Sequence, residues 1–256
     1  MHVAEKGEPM PALTLGEGKN MVTQLILVNL TVFILLFFIQ IIYNIEGNST
    51  IRFNVDVLNN IVLPADPSRL IRLPWTFLTT LFINNSVWSI FSSMIWLWAI
   101  GYVLQRKTGP GIILPLYLFG GFVGNIFYLV GMQLIPAFRS IQFFSFYDGG
   151  SSACIMAIAV ALLMTRPNLR LYPRLSGGIP MWTIVVAYIV ISVVSNLFTL
   201  RDQTNLPAII GGALTGYLYM NAWKKGKDWG AGFNKALHRV THIFDPKETP
   251  DLKIYK

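Results

Sequence analysis

The hydrophobic pattern of the chain is a series of long apolar runs separated by short polar gaps. The first extends from Met21 to about Ile45, long enough at 1.5 Å per residue to cross a bilayer core of roughly 30 Å. It exceeds the apolar part of a cleavable leader, so it predicts a first spanning helix after a polar, Gly- and Pro-bearing segment over 1–20. A second run covers about Trp75–Leu104 and closes on Arg106-Lys107; a third follows Gly109-Pro110 and continues to about Ile135. Glycines at 120, 121, 124 and 131 in the third run are spaced to let membrane helices approach closely. A fifth run covers about Met181–Leu200 and a sixth about Leu206–Trp223. The connection over 46–75 is punctuated by Asn48, Asp56, Pro64, Asp66 and Pro67, and its half-apolar stretch Val55–Leu63 predicts a short interfacial helix.

The fourth run is different. Tyr147-Asp148-Gly149-Gly150-Ser151-Ser152-Ala153-Cys154 leads into an apolar segment that ends at Thr165. Only about fourteen apolar residues follow the serines, roughly 21 Å of helix, which is short of the bilayer core. The serines are therefore expected below the membrane surface, where polar groups are tolerated only inside protein or beside a water-filled cavity.

Composition agrees with a membrane protein. The chain of 256 residues is 54% hydrophobic and 12% charged, with a mean hydropathy of +0.54, against about 25% charged residues in soluble domains. The net charge of +8 does not point to nucleic acid, because the basic residues lie in the gaps and the tail rather than on one aromatic-interleaved element. With six spans both termini share a side. That side holds fifteen Lys and Arg and the other holds five, Arg52, Arg69, Arg72, Arg139 and Arg201, which predicts cytoplasmic termini and places the fourth-helix serines toward the outer face. Cys154 is the single cysteine, so no intrachain disulfide or cysteine cluster forms. The three histidines, His2, His238 and His242, all fall outside the apolar runs. His238 and His242 are spaced four apart, but with no third ligand nearby they read as a solvated face of a tail helix rather than a metal site. No cofactor or metal is expected.

Taken together, these runs resemble the rhomboid family of intramembrane serine proteases. The resemblance covers about residues 20–225 and is closest in Leu73-Pro74-Trp75-Thr76-Phe77-Leu78-Thr79, Tyr117-Leu118-Phe119-Gly120-Gly121 and Ile210-Gly211-Gly212-Ala213-Leu214-Thr215-Gly216-Tyr217. It implies an all-α integral membrane protein: a six-transmembrane-helix bundle over 21–223 with a short central fourth helix, an N-terminal segment over 1–20 and a basic tail over 224–256. In that family a Gly-x-Ser-Gly turn opening helix four supplies the nucleophile, a His in an Ala-His-x-x-Gly stretch of helix six is its base, and a His-x-x-x-x-His-x-x-x-Asn pattern of helix two lies beside the oxyanion. On this sequence the resemblance places Ser152 at the nucleophile, Ile209 at the base, and Asn84, Ser89 and Ser93 on the oxyanion side, with Ala153 replacing the second glycine.

A serine hydroxyl is a weak nucleophile until a neighbouring base takes its proton, and isoleucine cannot do so. No other His, Lys, Asp or Glu lies within a span; Asp148 and Asp202 are in the gaps. The reading is a pseudoprotease that docks transmembrane client segments in the lipid bilayer. Its alternative is an active serine endopeptidase in which water or a partner activates Ser152. A small transporter, the third possibility, requires paired ionisable residues within the spans, and there are none. The bland roles stand beside these: Ser152 as a small packing residue, Asn84 as the polar end of a helix, Ser89 and Ser93 as interhelical hydrogen-bonders, and Gly212 and Gly216 as a close-packing pair for helices four and six. If the correspondence holds, the Ser152 hydroxyl faces Ile209.

Overall fold

The computed structural model describes residues 20–47, 50–84, 86–139, 146–147, 150–165, 170–171, 179–198, 203–233 and 235. The segment 1–19, the tail beyond 235 with His238 and His242, and Asp148 and Asp202 lie outside these residues. Among the described residues there are six principal helices: α1 (Met21–Ile45), α2 (Val87–Thr108), α3 (Ile113–Leu134), α4 (Gly150–Thr165), α5 (Met181–Ser195) and α6 (Leu206–Lys224). Three stretches, Met21–Ile45, Val87–Thr108 and Pro110–Leu134, are long and apolar enough to cross a membrane, and Ser151–Thr165 and Met181–Ser195 are shorter apolar helices. α4 has 16 residues, roughly 24 Å of rise.

The second apolar run is not one helix from Trp75. It divides into a short helical segment, Thr76–Thr79 continuing as a 3₁₀ turn over Thr80–Phe82, and α2, which begins only at Val87. Ser86 makes that break by capping α2, its hydroxyl accepting from the Ser89 N–H at 3.1 Å. The first segment is held by protein rather than lipid. Thr76, Thr80 and Leu81 are buried, the Tyr117 hydroxyl donates to the Leu81 carbonyl at 2.9 Å, and the Asn125 amide donates to the Phe77 carbonyl at 2.7 Å. α5 likewise stops at Ser195, short of Leu200, where Asn196 turns its amide back onto the Ser192 carbonyl.

The connection from α1 to α2 is helical over Thr50–Phe53, Asn54–Leu58 and Asn59–Ile61, the middle piece being a π-helical turn. Asp66 then caps Pro67–Arg72. Hydrogen bonds from the Ser68 hydroxyl and N–H hold its carboxyl below the usual carboxylate range. Leu63–Pro64 forms a two-residue antiparallel ladder with Phe146–Tyr147, just ahead of α4, and Arg170–Leu171 forms another with Ile179–Pro180 just behind it. The start of α4 is thus tied to distant chain, and its end leads into a short ladder within the connection to α5.

The core gathers around α4, whose residues 153–159 are all buried. It is packed on two sides by glycines. A β-carbon on Gly120 of α3 would sit 2.5 Å from the Ala157 β-carbon, and one on Gly124 would sit 2.6 Å from that of Ala153. From the other side, β-carbons on Gly212 and Gly216 of α6 would each sit 2.2 Å from the carbonyl oxygen of Ala153 and Ala157 respectively. No side chain fits between these backbones. In membranes, where burial of apolar surface gives helices no drive to associate, such direct contact is a principal source of attraction.

Gly212→Ala is therefore expected to destabilise the bundle by about 1–3 kcal/mol, because backbone has to move to admit the methyl group. Gly232→Ala, whose β-carbon meets open space, serves as the control. Reversible unfolding in SDS should show a lower midpoint for the first and none for the second; equal midpoints would contradict the packing described.

Candidate functional site

The start of α4 carries a small polar cluster inside the bundle. Ser151 is 1% exposed, and its hydroxyl donates to Asn84 Oδ1 at 3.0 Å and lies 3.5 Å from the Ser93 hydroxyl. Ser89, one turn before Ser93 on α2, donates to the same Asn84 oxygen at 3.4 Å. Asn84 is itself 3% exposed, and its Nδ2 has no partner among the described residues. The 3₁₀ turn that ends at Phe82 and the Ser86 cap of α2 bracket this placement of Asn84 beside the start of α4.

Three of the residues singled out from the sequence, Asn84, Ser89 and Ser93, thus come together, and the group that joins them is Ser151. Ser152 is only half-buried, and its backbone carbonyl, one atom group removed from the hydroxyl in question, accepts from the Tyr188 hydroxyl of α5 at 3.4 Å. Ser151 turns toward α2, and because consecutive helical residues point about 100° apart, Ser152 leaves the helix on a different face. Sequence pattern alone does not separate two adjacent serines; the structure does, through Ala153, whose contact with Gly212 fixes the rotation of the helix.

Ile209 is 3% exposed. It precedes Gly212 and Gly216 by three and seven residues, so the three share a helical face, the face that meets α4. Gly212 meets Ala153 and Gly216 meets Ala157, so α4 and α6 run in parallel with a constant offset and Ile209 falls level with Gly150. The position beside the serines on α6 is thus filled by a branched hydrocarbon.

The chemistry of the cluster follows from its members. An amide oxygen accepts hydrogen bonds but is not a titrating base, so Asn84 positions the Ser151 hydroxyl without ionising it. Ser89 and Ser93 are hydroxyls with the same limitation. Among the described residues, no group of three His, Cys, Asp or Glu is arranged to hold a metal.

The rhomboid-domain family model matches residues 72–224, more than half of the chain and all of the segment from the break before α2 to the end of α6. The chain belongs to the rhomboid family. A stretch of 74 residues is 35% identical to RHOMBOID-like protein 12, mitochondrial, of Arabidopsis thaliana, covering 29% of this chain and 22% of that protein. The aligned part thus spans about a fifth of that relative's length. Family membership, together with the long apolar helices, makes this rhomboid an integral, multi-pass membrane protein.

Breaking the cluster has a measurable cost. Ser151→Ala is expected to destabilise the protein by about 1–3 kcal/mol, the cost of leaving a buried acceptor short of a donor. Asn84→Leu and Ser151→Ala should be non-additive by at least about 0.5 kcal/mol in a double-mutant cycle read by SDS unfolding. Strict additivity would mean that the two side chains do not interact.

Proposed function

We propose that this rhomboid is a non-catalytic member of its family, a pseudoprotease that binds transmembrane segments of client proteins. Rhomboid membership suggests serine intramembrane proteolysis, and the observation that speaks against it here is Ile209. In the resemblance described above, the general base belongs at that position, and a buried isoleucine can neither accept the proton of Ser152 nor orient it. Ser151 is no better served, since its hydroxyl is committed to the Asn84 amide. Losing one oxyanion donor costs about 10²–10³ in rate; the loss of the base comes on top of the two oxyanion-side histidines replaced by Asn84 and Ser89 and the asparagine replaced by Ser93.

Client binding rests on what the bundle retains. α4 supplies hydroxyls within the bundle, and α5, whose Trp182, Val186, Val190, Ile191 and Val194 are exposed, offers a helical face to which an apolar segment can pack. The six principal helices are assigned as six spans, with 1–20 and the basic tail over 224–256 flanking them on the cytoplasmic side. A reporter enzyme fused after Lys256 should then be active only in its cytoplasmic form, and activity in its external form would overturn the orientation.

The catalytic question is decided by proteolysis. Purified wild-type protein, incubated in lipid with a generic transmembrane substrate, is expected to release no more product than Ser151→Ala or Ser152→Ala. It should still retain the intact substrate on co-purification. Cleavage that disappears in either serine variant would overturn the pseudoprotease reading.

A further inference from the structure

The end of the bundle opposite the α4 serines carries a basic face. Three contacts show which helix ends meet there. Gln105 near the end of α2 accepts from the Val22 N–H at the start of α1 at 3.0 Å, the Lys224 ammonium at the end of α6 donates to the Met164 carbonyl near the end of α4, and Gly230 packs on Pro115 near the start of α3. Arg106, Lys107, Lys224, Lys225 and Lys227 are exposed on this face, and Asp228 is the acidic residue described there. The other end of the bundle mixes Arg52, Arg69 and Arg72 with Glu46, Asp56 and Asp66. We propose that the turn over 225–230 is a preformed seat for the headgroup of an anionic glycerophospholipid, with Lys225 and Lys227 on the phosphate and Trp229 beneath them against the glycerol and upper acyl chain.

The turn is built rather than loose. α6 stops in a paired reversal, the Gly226 N–H bonding the Trp223 carbonyl at 2.9 Å and the Lys227 N–H bonding the Ala222 carbonyl at 3.0 Å. Gly226 takes φ +77° there, which a glycine adopts without strain. The reversed chain is then pinned by Asp228, whose Oδ1 accepts from the Gly230 N–H at 2.8 Å and from the Tyr219 hydroxyl of α6 at 3.3 Å. A β-carbon on Gly230 would sit 2.5 Å from that hydroxyl and 2.8 Å from Pro115 Cγ, so the backbone lies directly on α6 and α3. Asp228 thus turns one carboxylate oxygen inward, away from the exposed lysines.

The vertical order of the groups matches the boundary of a bilayer. The Trp229 ring meets Tyr219 edge-on at 6.1 Å and is 51% exposed. Tyr219 precedes Lys224 by five residues, roughly 7.5 Å back along α6, so the indole lies on the membrane side of the helix end. Tryptophan prefers that interfacial level, and lysines just beyond a span attract anionic headgroups. Lys224 is committed to the end of α4, which leaves Lys225 and Lys227 for a phosphate. A soluble acidic partner would meet the lysines from outside and would not account for an exposed indole held beneath them. The assignment is independent of whether the protein hydrolyses anything.

The test takes the full chain in nanodiscs of equimolar phosphatidylglycerol and phosphatidylcholine and counts the lipids it retains by native mass spectrometry. Wild-type protein should retain phosphatidylglycerol over phosphatidylcholine by at least about fivefold, the effect of one lysine near the surface. Lys225→Gln/Lys227→Gln should abolish the preference, and Arg69→Gln/Arg72→Gln at the other end should leave it intact. Asp228→Ala separates a built seat from charge alone: it removes a negative charge yet releases the turn, so the preference should fall. The emission lost in Trp229→Phe should be quenched more strongly by phosphatidylglycerol brominated near the ester than by phosphatidylcholine brominated alike. Equal retention of the two lipids, a preference that survives the lysine substitutions, or one that rises in Asp228→Ala would each overturn the proposal. Equal quenching by the two lipids would overturn the place given to Trp229. Wild-type retention and quenching decide the matter even where a variant fails to fold.

Discussion

The whole bundle depends on two alanines. Ala153 and Ala157 of α4 stand between Gly120 and Gly124 on one side and Gly212 and Gly216 on the other, at distances that admit no further side-chain atom. This contact places a helix shorter than the usual bilayer core at the centre of the fold. It also fixes the rotation of α4, and with it which of two neighbouring serines points inward. The level of Ile209 beside Gly150 follows from the same register. The polar cluster and the buried hydrocarbon of Ile209 are thus two consequences of one packing arrangement.

The fold subordinates its polar groups to that arrangement. Ser151, Asn84, Ser89 and Ser93 form a connected set of hydroxyls and one amide, which stabilises the start of α4 against α2 without a titrating member. Catalysis by serine needs the same burial together with a proton acceptor held on the opposite wall. Here the opposite wall is Ile209, which packs with the apolar core.

Much of this was legible in the sequence, and the reasons differ by element. The α1 run could be read to the residue, because a long uninterrupted apolar stretch has few alternatives and its bounds coincide with Met21–Ile45. The Gly212–Gly216 spacing pointed to close contact with helix four, since small residues four apart stack on one face. The break between Thr76–Phe82 and α2 was not legible: residues 75–82 read on as part of one apolar run, and only the structure shows Thr76, Thr80 and Leu81 buried and the Leu81 and Phe77 carbonyls bonded by Tyr117 and Asn125. The ladder between Leu63–Pro64 and Phe146–Tyr147 joins two-residue strands about eighty residues apart, too short for any periodicity to register. The choice between Ser151 and Ser152 was closed to sequence reasoning for a simpler reason. Both positions satisfy the same pattern, and one helical step of about 100° separates a buried hydroxyl from a half-buried one.

The central claim is that the hydroxyls of α4 are held in place without being activated. Reaction with a serine-directed fluorophosphonate tests this most directly, because it reports nucleophilicity without requiring a substrate to dock. The account predicts that folded wild-type protein in lipid labels no faster than the Ser151→Ala, Ser152→Ala double variant. Labelling of the wild type that the double variant abolishes would contradict it.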